Sequence, residues 1–326
     1  MQIRLVTPAP GRSRGGNRVT ALRWTRILRD LGHHVDVETE YRGAACDMLV
    51  ALHARRSFSS VERFRRDHPE RPLILALTGT DLYGDLRADP RARQALDLAS
   101  QLILLQPLGM EELPEPVRGK TRVIYQSATK APGRIVPKTR VFEVCVLGHL
   151  RPVKDPLRAA AAARLLPESS RIQIVHAGAA LSPEMQEAAR AEAAANPRYR
   201  WLGELPRWQA LRVLARSRLM VLSSQMEGGA NVISEAVVAG VPVLASRIPG
   251  SIGLLNPEYP GYFPVGDTRG LADLLRRAET DARFYTALKL WCAGLAPMFD
   301  PARERESWMR LIHDVSVAGR EIPAGA

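Results

Sequence analysis

Two carboxylates, Glu227 and Glu235, stand in a Glu-x7-Glu spacing around Gly228, Gly229, Ala230, Asn231 and Val232. The two glycines are expected to open a short apolar-periodic helix, so free backbone N–H groups at its N-terminus would meet an approaching anion with no side chain in the way. Such a cradle suits a diphosphate, with a hydrogen-bond acceptor on either side. A tight turn and a solvated carboxylate are the plain alternatives. A second candidate loop, Gly148 to Pro156, carries His149, Arg151 and Lys154, three donors that would neutralise phosphate oxygens. A third, Thr78-Gly79-Thr80-Asp81, offers two hydroxyls, a glycine and a carboxylate after an apolar run. In open α/β sheets ligands collect at such strand ends, although a helix cap at Thr80 or Asp81 is the competing use. Gly15, Gly16 and Asn17 close a Pro- and Gly-rich loop that begins at Thr7. It would admit a phosphate-bearing ligand but matches no dinucleotide fingerprint, and a flexible surface loop remains open.

The elements that must position these residues follow from periodicity. Ile3–Val6, a helix bearing Ala21, Trp24, Leu28 and Leu31, and a strand at His34–Val37 make a βαβ opening. Strand candidates at Met48–Leu52, Leu73–Leu77, Leu102–Leu105 and Arg122–Tyr125, most of them continuous apolar runs, read as parallel strands covered on both faces. The pattern lapses into a linker between Ser127 and Thr139. A second set of strands then begins at Val141–Leu147, with Asp155 as the expected cap of an Ala-rich helix and Pro156 in its first turn. It continues at Arg171–His176, Tyr199–Leu205, Leu219–Leu222 and Val241–Ala245, with helices between. Ser246–Ser251 reads as a turn and Gly261–Val265 as a possible strand. Helices are expected at Thr268–Ala278, Asp281–Trp291 and about Pro301–Val315, and a frayed tail after Ala318.

The expected organisation is α/β: an N-terminal Rossmann-like domain at 1–137, a second one at 138–300, and at 301–326 a last helix and tail. That helix would either close the second domain or cross back to the first. With 46% apolar and 25% charged residues in 326, a globular chain of two domains is expected. No run approaches the ~18–20 apolar residues of a membrane span, and the first residues read as a strand rather than a signal peptide. Cys46, Cys145 and Cys292 are scattered in or beside apolar stretches, which points to a reducing, cytoplasmic setting and against a metal pattern or disulfide framework. The net charge of +12 comes almost wholly from dispersed arginines, with no block of basic residues and no aromatic interleaving. That pattern argues against nucleic acid and for a small anionic substrate. No Asp-x-Asp pair or clustered histidines propose a metal, so no metal and no cofactor are expected.

In this order, Gly15-Gly16-Asn17, Gly148 through Lys154, Trp201-Leu202-Gly203-Glu204, Ser223-Ser224, the Glu227/Glu235 pair and Ala239-Gly240-Val241-Pro242-Val243 resemble the retaining-type glycosyltransferases of family 4. The resemblance covers essentially the whole chain and is most specific from 145 to 250. It implies the GT-B architecture, two Rossmann-like domains facing across a cleft. It further implies that Lys154 and a neighbouring cation hold the donor diphosphate, that the backbone from Gly228 to Val232 cradles the phosphates, and that Glu235 binds ribose hydroxyls. Glu227 would lie near the transferred sugar, and Leu202–Glu204 would contact the base. Two departures stand out. His149 replaces the usual Arg after the glycine, with Arg151 as the substitute charge, and Thr78–Asp81 occupies the place where many relatives carry a histidine near the sugar.

The segments Gly16–Trp24, Thr78–Tyr83, Gly148–Arg151 and Glu227–Asn231 are similar to the selenosugar synthase family of selenoneine biosynthesis. That resemblance alone implies the acceptor, selenophosphate, and the donor, UDP-N-acetylglucosamine or UDP-glucose. Gly15, Gly16, Asn17, Arg23, Thr78 and Thr80 are the donors that a small inorganic anion would need, with Gly79 and Asp81 on the same loop. A family 4 transferase with a hydroxyl or thiol acceptor, a nucleotide-sugar-binding protein without turnover, and a UDP-sugar epimerase are the rival readings. The Glu-x7-Glu context disfavours the last.

Overall fold

The computed structural model describes residues 1–318 apart from Arg12, Arg14 and Arg134. Those three arginines, in the expected glycine-rich loop and linker, and the expected frayed tail after Ala318 lie outside the described residues. The chain forms two compact units. One comprises residues 1–126, 227–229 and the stretch from Pro301 on; the other comprises 127–226 and 230–300.

In the first unit the order is β1 (Gln2–Val6), α1 (Gly16–Asp30), β2 (His34–Glu38), β3 (Met48–Leu52), α2 (Phe58–Asp67), β4 (Leu73–Ala76), α3 (Leu86–Ala88), α4 (Pro90–Leu98), β5 (Gln101–Leu104), α5 (Glu115–Arg118) and β6 (Thr121–Val123). The strands form one sheet in the order β2-β1-β3-β4-β5-β6, every neighbouring pair parallel. Parallel strands need crossovers on both faces, which is why β3 and β4 are buried along their whole length and read as unbroken apolar runs.

The second unit carries β7 (Phe142–Leu147), α6 (Arg158–Arg164), β8 (Ile172–Ala177), α7 (Pro183–Ala195), β9 (Tyr199–Trp201), α8 (Arg207–Arg216), β10 (Leu219–Leu222), α9 (Asn231–Ala239), β11 (Val243–Ser246), α10 (Pro249–Leu255), β12 (Tyr262–Phe263), α11 (Thr268–Thr280) and α12 (Ala282–Leu295). Its sheet runs β12-β11-β10-β7-β8-β9, again all parallel. The two six-stranded parallel sheets are the α/β architecture expected from the sequence.

The last helix, α13 (Pro301–Ala318), belongs to the first unit. Its Trp308, Leu311, Ile312 and Val315 share a core with Trp24, Ile27 and Leu28 of α1 and with Ile3, Leu5, Met48 and Val50 of the sheet. Trp24 and Trp308 meet edge to face, 4.9 Å between ring centroids.

Three local expectations are corrected. Ser246–Ser251 is not a plain turn, because Pro249 opens α10 as its first residue and Leu254 and Leu255 are buried on it. Asp155 does not cap the Ala-rich helix. It ends a single 3₁₀ turn at Pro152–Lys154 in the left-handed conformation, φ 44°, and its carboxylate pairs with Arg158 at 2.6 Å, so α6 starts only at Arg158. Gly228 and Gly229 do not open α9 either; Ala230 is the cap residue and Asn231 the first helical one.

Candidate functional site

In the second sheet the strand order reverses between β7 and β10, and ligands of open α/β sheets bind beyond the strand ends at such a point. The loops leaving those two strands carry Gly148–Asp155 and Ser223–Gln225. They are joined by backbone and hydroxyl bonds: Gln225 N–H donates to the Val153 carbonyl at 2.8 Å, and the Ser223 hydroxyl donates to the Asp155 carbonyl at 2.8 Å. Ser223 and Ser224 are buried, and Ser246 donates to the Ser224 carbonyl, so this serine pair is structural. It fixes the loop that presents Arg151 and Lys154, both half-buried. Among the described residues no carboxylate pairs with Arg151.

The loop leaves β7 through Gly148, and two residues that periodicity alone would assign to plain strand hold it there. His176 is fully buried, its Nε2 3.0 Å from the Gly148 carbonyl and its Nδ1 3.0 Å from the Tyr199 hydroxyl. A carbonyl only accepts, so Nε2 carries the proton and Tyr199 donates to Nδ1. Burial lowers the His176 imidazole to about 4, against the smaller raising effect of its bond to Gly148. Gly178 lies so close that a Cβ there would sit 1.8 Å from the Gly148 oxygen. His149 turns its Nδ1 to the Ala179 N–H at 3.1 Å, so part of its bonding capacity serves the adjoining loop.

Downstream, α9 begins with Asn231 and Val232, and Glu235 lies buried a turn inside it. Its carboxylate is 2.6 Å from Arg207 at the start of α8, a partner the sequence pattern does not reveal. Glu204 is exposed in the loop between β9 and α8.

Within the first unit, Glu227–Gly229 clusters with the strand ends. A Cβ on Gly228 would lie 2.6 Å from the Thr78 carbonyl carbon and 2.7 Å from Gly79 N, and one on Gly229 would lie 2.5 Å from the Leu105 Cβ. The missing side chains therefore permit close backbone packing, a requirement separate from the anion access expected of them. Gly79 has φ 141°, a conformation that L side chains rarely adopt. Asp81 is fully buried, and its Oδ1 accepts from the N–H of Thr78 at 2.9 Å and of Gly79 at 2.8 Å, while Oδ2 accepts from Ala54 N–H at 3.0 Å. Its carboxylate thus shapes the Thr78–Thr80 loop. The element that follows is one π-helical turn, Asp81–Asp85, and neither Thr80 nor Asp81 caps it through a side chain.

Gly15 occupies the N-cap position of α1, Gly16 and Asn17 lie in its first turn, and no acidic side chain shares that turn. Arg23 is engaged with the buried Glu304 of α13 at 3.2 Å, and Trp24 Nε1 donates to the same carboxylate at 2.8 Å. An Arg23 held in this way anchors α13, which competes with the acceptor-side use expected of it. His53, at the end of β3, is a site feature that strand periodicity does not signal; it is buried with φ 75° and lies 3.1 Å from the Thr80 hydroxyl. Cys46, Cys145 and Cys292 are buried free thiols, and burial pushes Cys145 up to about 12. No helix among the described residues is long and apolar enough to cross a membrane.

Residues 128–289 match the family model described as glycosyl transferases group 1. Among solved structures, the chain is similar to HepE of Anabaena in complex with UDP-glucose, with 17% identity over 97% of this chain and 100% of that one and a TM-score of 0.77. It is also similar to sucrose-phosphate synthase from Thermosynechococcus elongatus, with 16% identity, coverage of 97% and 99%, and a TM-score of 0.77. A third is an alpha,alpha-trehalose-phosphate synthase (UDP-forming) from Burkholderia vietnamiensis, with 13% identity, coverage of 95% and 80%, and a TM-score of 0.71. At these identities the structures establish the fold, GT-B. The matched domain and that fold together support a glycosyltransferase.

Proposed function

We propose that this chain transfers N-acetylglucosamine or glucose from the corresponding UDP-sugar to selenophosphate, forming a selenosugar. The observation that carries the donor half is the pair of bonded loops at the β7/β10 reversal, which hold Arg151 and Lys154 in the same unit as the N-terminus of α9. HepE forms complexes with UDP and with UDP-glucose, and it shares this fold. The assignment of the acceptor rests on the resemblance of Gly16–Trp24, Thr78–Tyr83, Gly148–Arg151 and Glu227–Asn231 to the selenosugar synthase family.

Chemically, the C1–O bond to UDP breaks with its electron pair leaving on the β-phosphate oxygen. Lys154, Arg151 and the N–H groups at the start of α9 take up that charge, so no metal ion is required. Selenium of selenophosphate attacks C1 and forms the C–Se bond. It is nucleophilic without a strong general base, and Glu227 serves to orient the sugar rather than to remove a proton. Water then attacks phosphorus, the P–Se bond breaks, and the products are inorganic phosphate and the selenol. Glu235 orders the ribose, sharing its carboxylate with Arg207. The two glutamates bind different parts of the donor and do not work as a glycosidase pair.

Mass spectrometry of the product from UDP-N-acetylglucosamine or UDP-glucose plus selenophosphate, with and without chelator, tests this reading. A selenium-bearing sugar formed in chelator is expected. UDP release that depends on an alcohol or thiol and ignores selenophosphate would replace the acceptor while leaving the transferase.

A further inference from the structure

We propose that His53 is a positioning residue that holds the Thr80 hydroxyl as an outward hydrogen-bond donor for the anionic acceptor. This rests on the acceptor-side reading of the Thr78–Asp81 loop. The first sheet reverses its strand order between β1 and β3, and His53 leaves β3 at that point. Its φ of 75° is rare for a residue with a side chain, and the backbone around it is fixed on both sides. His53 N–H donates to the Ala76 carbonyl at 2.8 Å, Ser57 N–H donates to the His53 carbonyl at 3.0 Å, and the Ser57 hydroxyl donates to Leu52 at 2.7 Å. A strained conformation held this firmly is characteristic of positions that place a functional group.

Hydrogen bonding sets the tautomer. Arg56 N–H donates to His53 Nδ1 at 3.4 Å, which leaves the ring proton on Nε2, facing the Thr80 Oγ1 at 3.1 Å. Asp81 and Asp85 are farther from the ring, at 4.0 Å and 3.8 Å, and Asp85 is paired with Arg55 at 3.0 Å. Burial, the largest influence, lowers the imidazole below its usual value, which keeps the ring neutral. Thr80 therefore accepts from the imidazole and makes no other hydrogen bond through its hydroxyl among the described residues. Its own proton remains to be donated, and an oxyanion is the partner such a donor takes. His53 needs no contact with the acceptor.

The test compares His53→Phe, His53→Gln and Thr80→Val in steady-state UDP release. Phe and Gln share the backbone cost at φ 75°, so the difference between them reads the N–H donor. His53→Phe and Thr80→Val are expected to raise KM for selenophosphate about tenfold, the scale of one lost hydrogen bond. KM for the UDP-sugar should stay within about twofold, and His53→Gln should recover most of the loss. Thr80→Val keeps His53 in place and serves where His53→Phe does not fold. An unchanged KM for selenophosphate in Thr80→Val, or equal losses in the Phe and Gln variants, overturns the inference and leaves the transferase standing. Wild-type protein that releases no UDP in response to selenophosphate overturns both.

Discussion

Nε2 of His176 lies 3.0 Å from the carbonyl oxygen of Gly148, the residue from which the Arg151–Lys154 loop leaves β7. The ring is held neutral, so that Nδ1 also accepts from the Tyr199 hydroxyl at 3.0 Å, because burial lowers the imidazole from 6.5 to about 4 and outweighs the raising effect of the Gly148 bond. The folded state therefore binds this proton less readily than the unfolded one. The stabilisation is fully present above about pH 6.5 and is lost as pH falls towards about 4. At about 1.4 kcal/mol per pH unit, the total loss is about 3 kcal/mol. Urea unfolding of wild type and His176→Gln at pH 7.5 and pH 4.5 should show the wild-type advantage shrinking at the lower pH. A constant difference would contradict the assignment.

Gly178→Ala should damage the same corner by sterics alone. The new methyl would meet the Gly148 oxygen at 1.8 Å and His149 N at 2.9 Å, and backbone atoms cannot rotate aside. Strain of about 1–3 kcal/mol is expected, with UDP affinity reduced about tenfold or more as the loop is displaced. Thermal unfolding and calorimetric titration with UDP are the measurements, and wild-type values in both would refute the packing account.

Lys154→Ala and Glu235→Ala should each weaken UDP binding by about tenfold to a hundredfold, through loss of a charge on the diphosphate and of an acceptor for the ribose. Arg207→Ala is informative beside them, because Arg207 lies 2.6 Å from the Glu235 carboxylate. Its removal would leave that buried carboxylate without this ion pair and weaken UDP binding less than Glu235→Ala does. Unchanged calorimetric affinity in both Lys154→Ala and Glu235→Ala would remove the donor site from this loop pair.

Trp308→Ala removes a fully buried indole that meets Trp24 edge to face. A loss of about 3–5 kcal/mol is expected from denaturant unfolding, typical of a large aromatic deleted from a core. A loss below about 1 kcal/mol would mean that α13 is dispensable to the first unit.

Much of this architecture is legible in the sequence because parallel strands buried on both faces leave unbroken apolar runs, as at Met48–Leu52 and Leu219–Leu222. Gly240 marks its helix end in the same direct way, with φ 74° at the C-cap of α9. The strand-to-loop junctions, and hence the places of Lys154, Thr78–Asp81 and Glu235, follow from those two signals. Partners do not. Arg207 meets Glu235, and Arg23 meets Glu304, only through tertiary folding. His53 and His176 sit beside apolar residues whose periodicity masks them, and their roles appear only with the carbonyl and hydroxyl they face. Pro249-Gly250-Ser251 carries turn chemistry, yet the buried Leu254 and Leu255 make a helix worth forming there.

The position of α13 has a consequence for the order in which the protein can be made. Residues 1–126 emerge from the ribosome first, but the apolar surface on Trp24, Ile27 and Leu28 is covered only when Trp308, Leu311 and Ile312 have been synthesised. Residues 127–300 lie between, and most of them can collapse into their own sheet while the earlier unit still waits for its final helix. Throughout that interval the nascent chain carries an uncovered apolar seam along α1, which closes when α13 packs onto it.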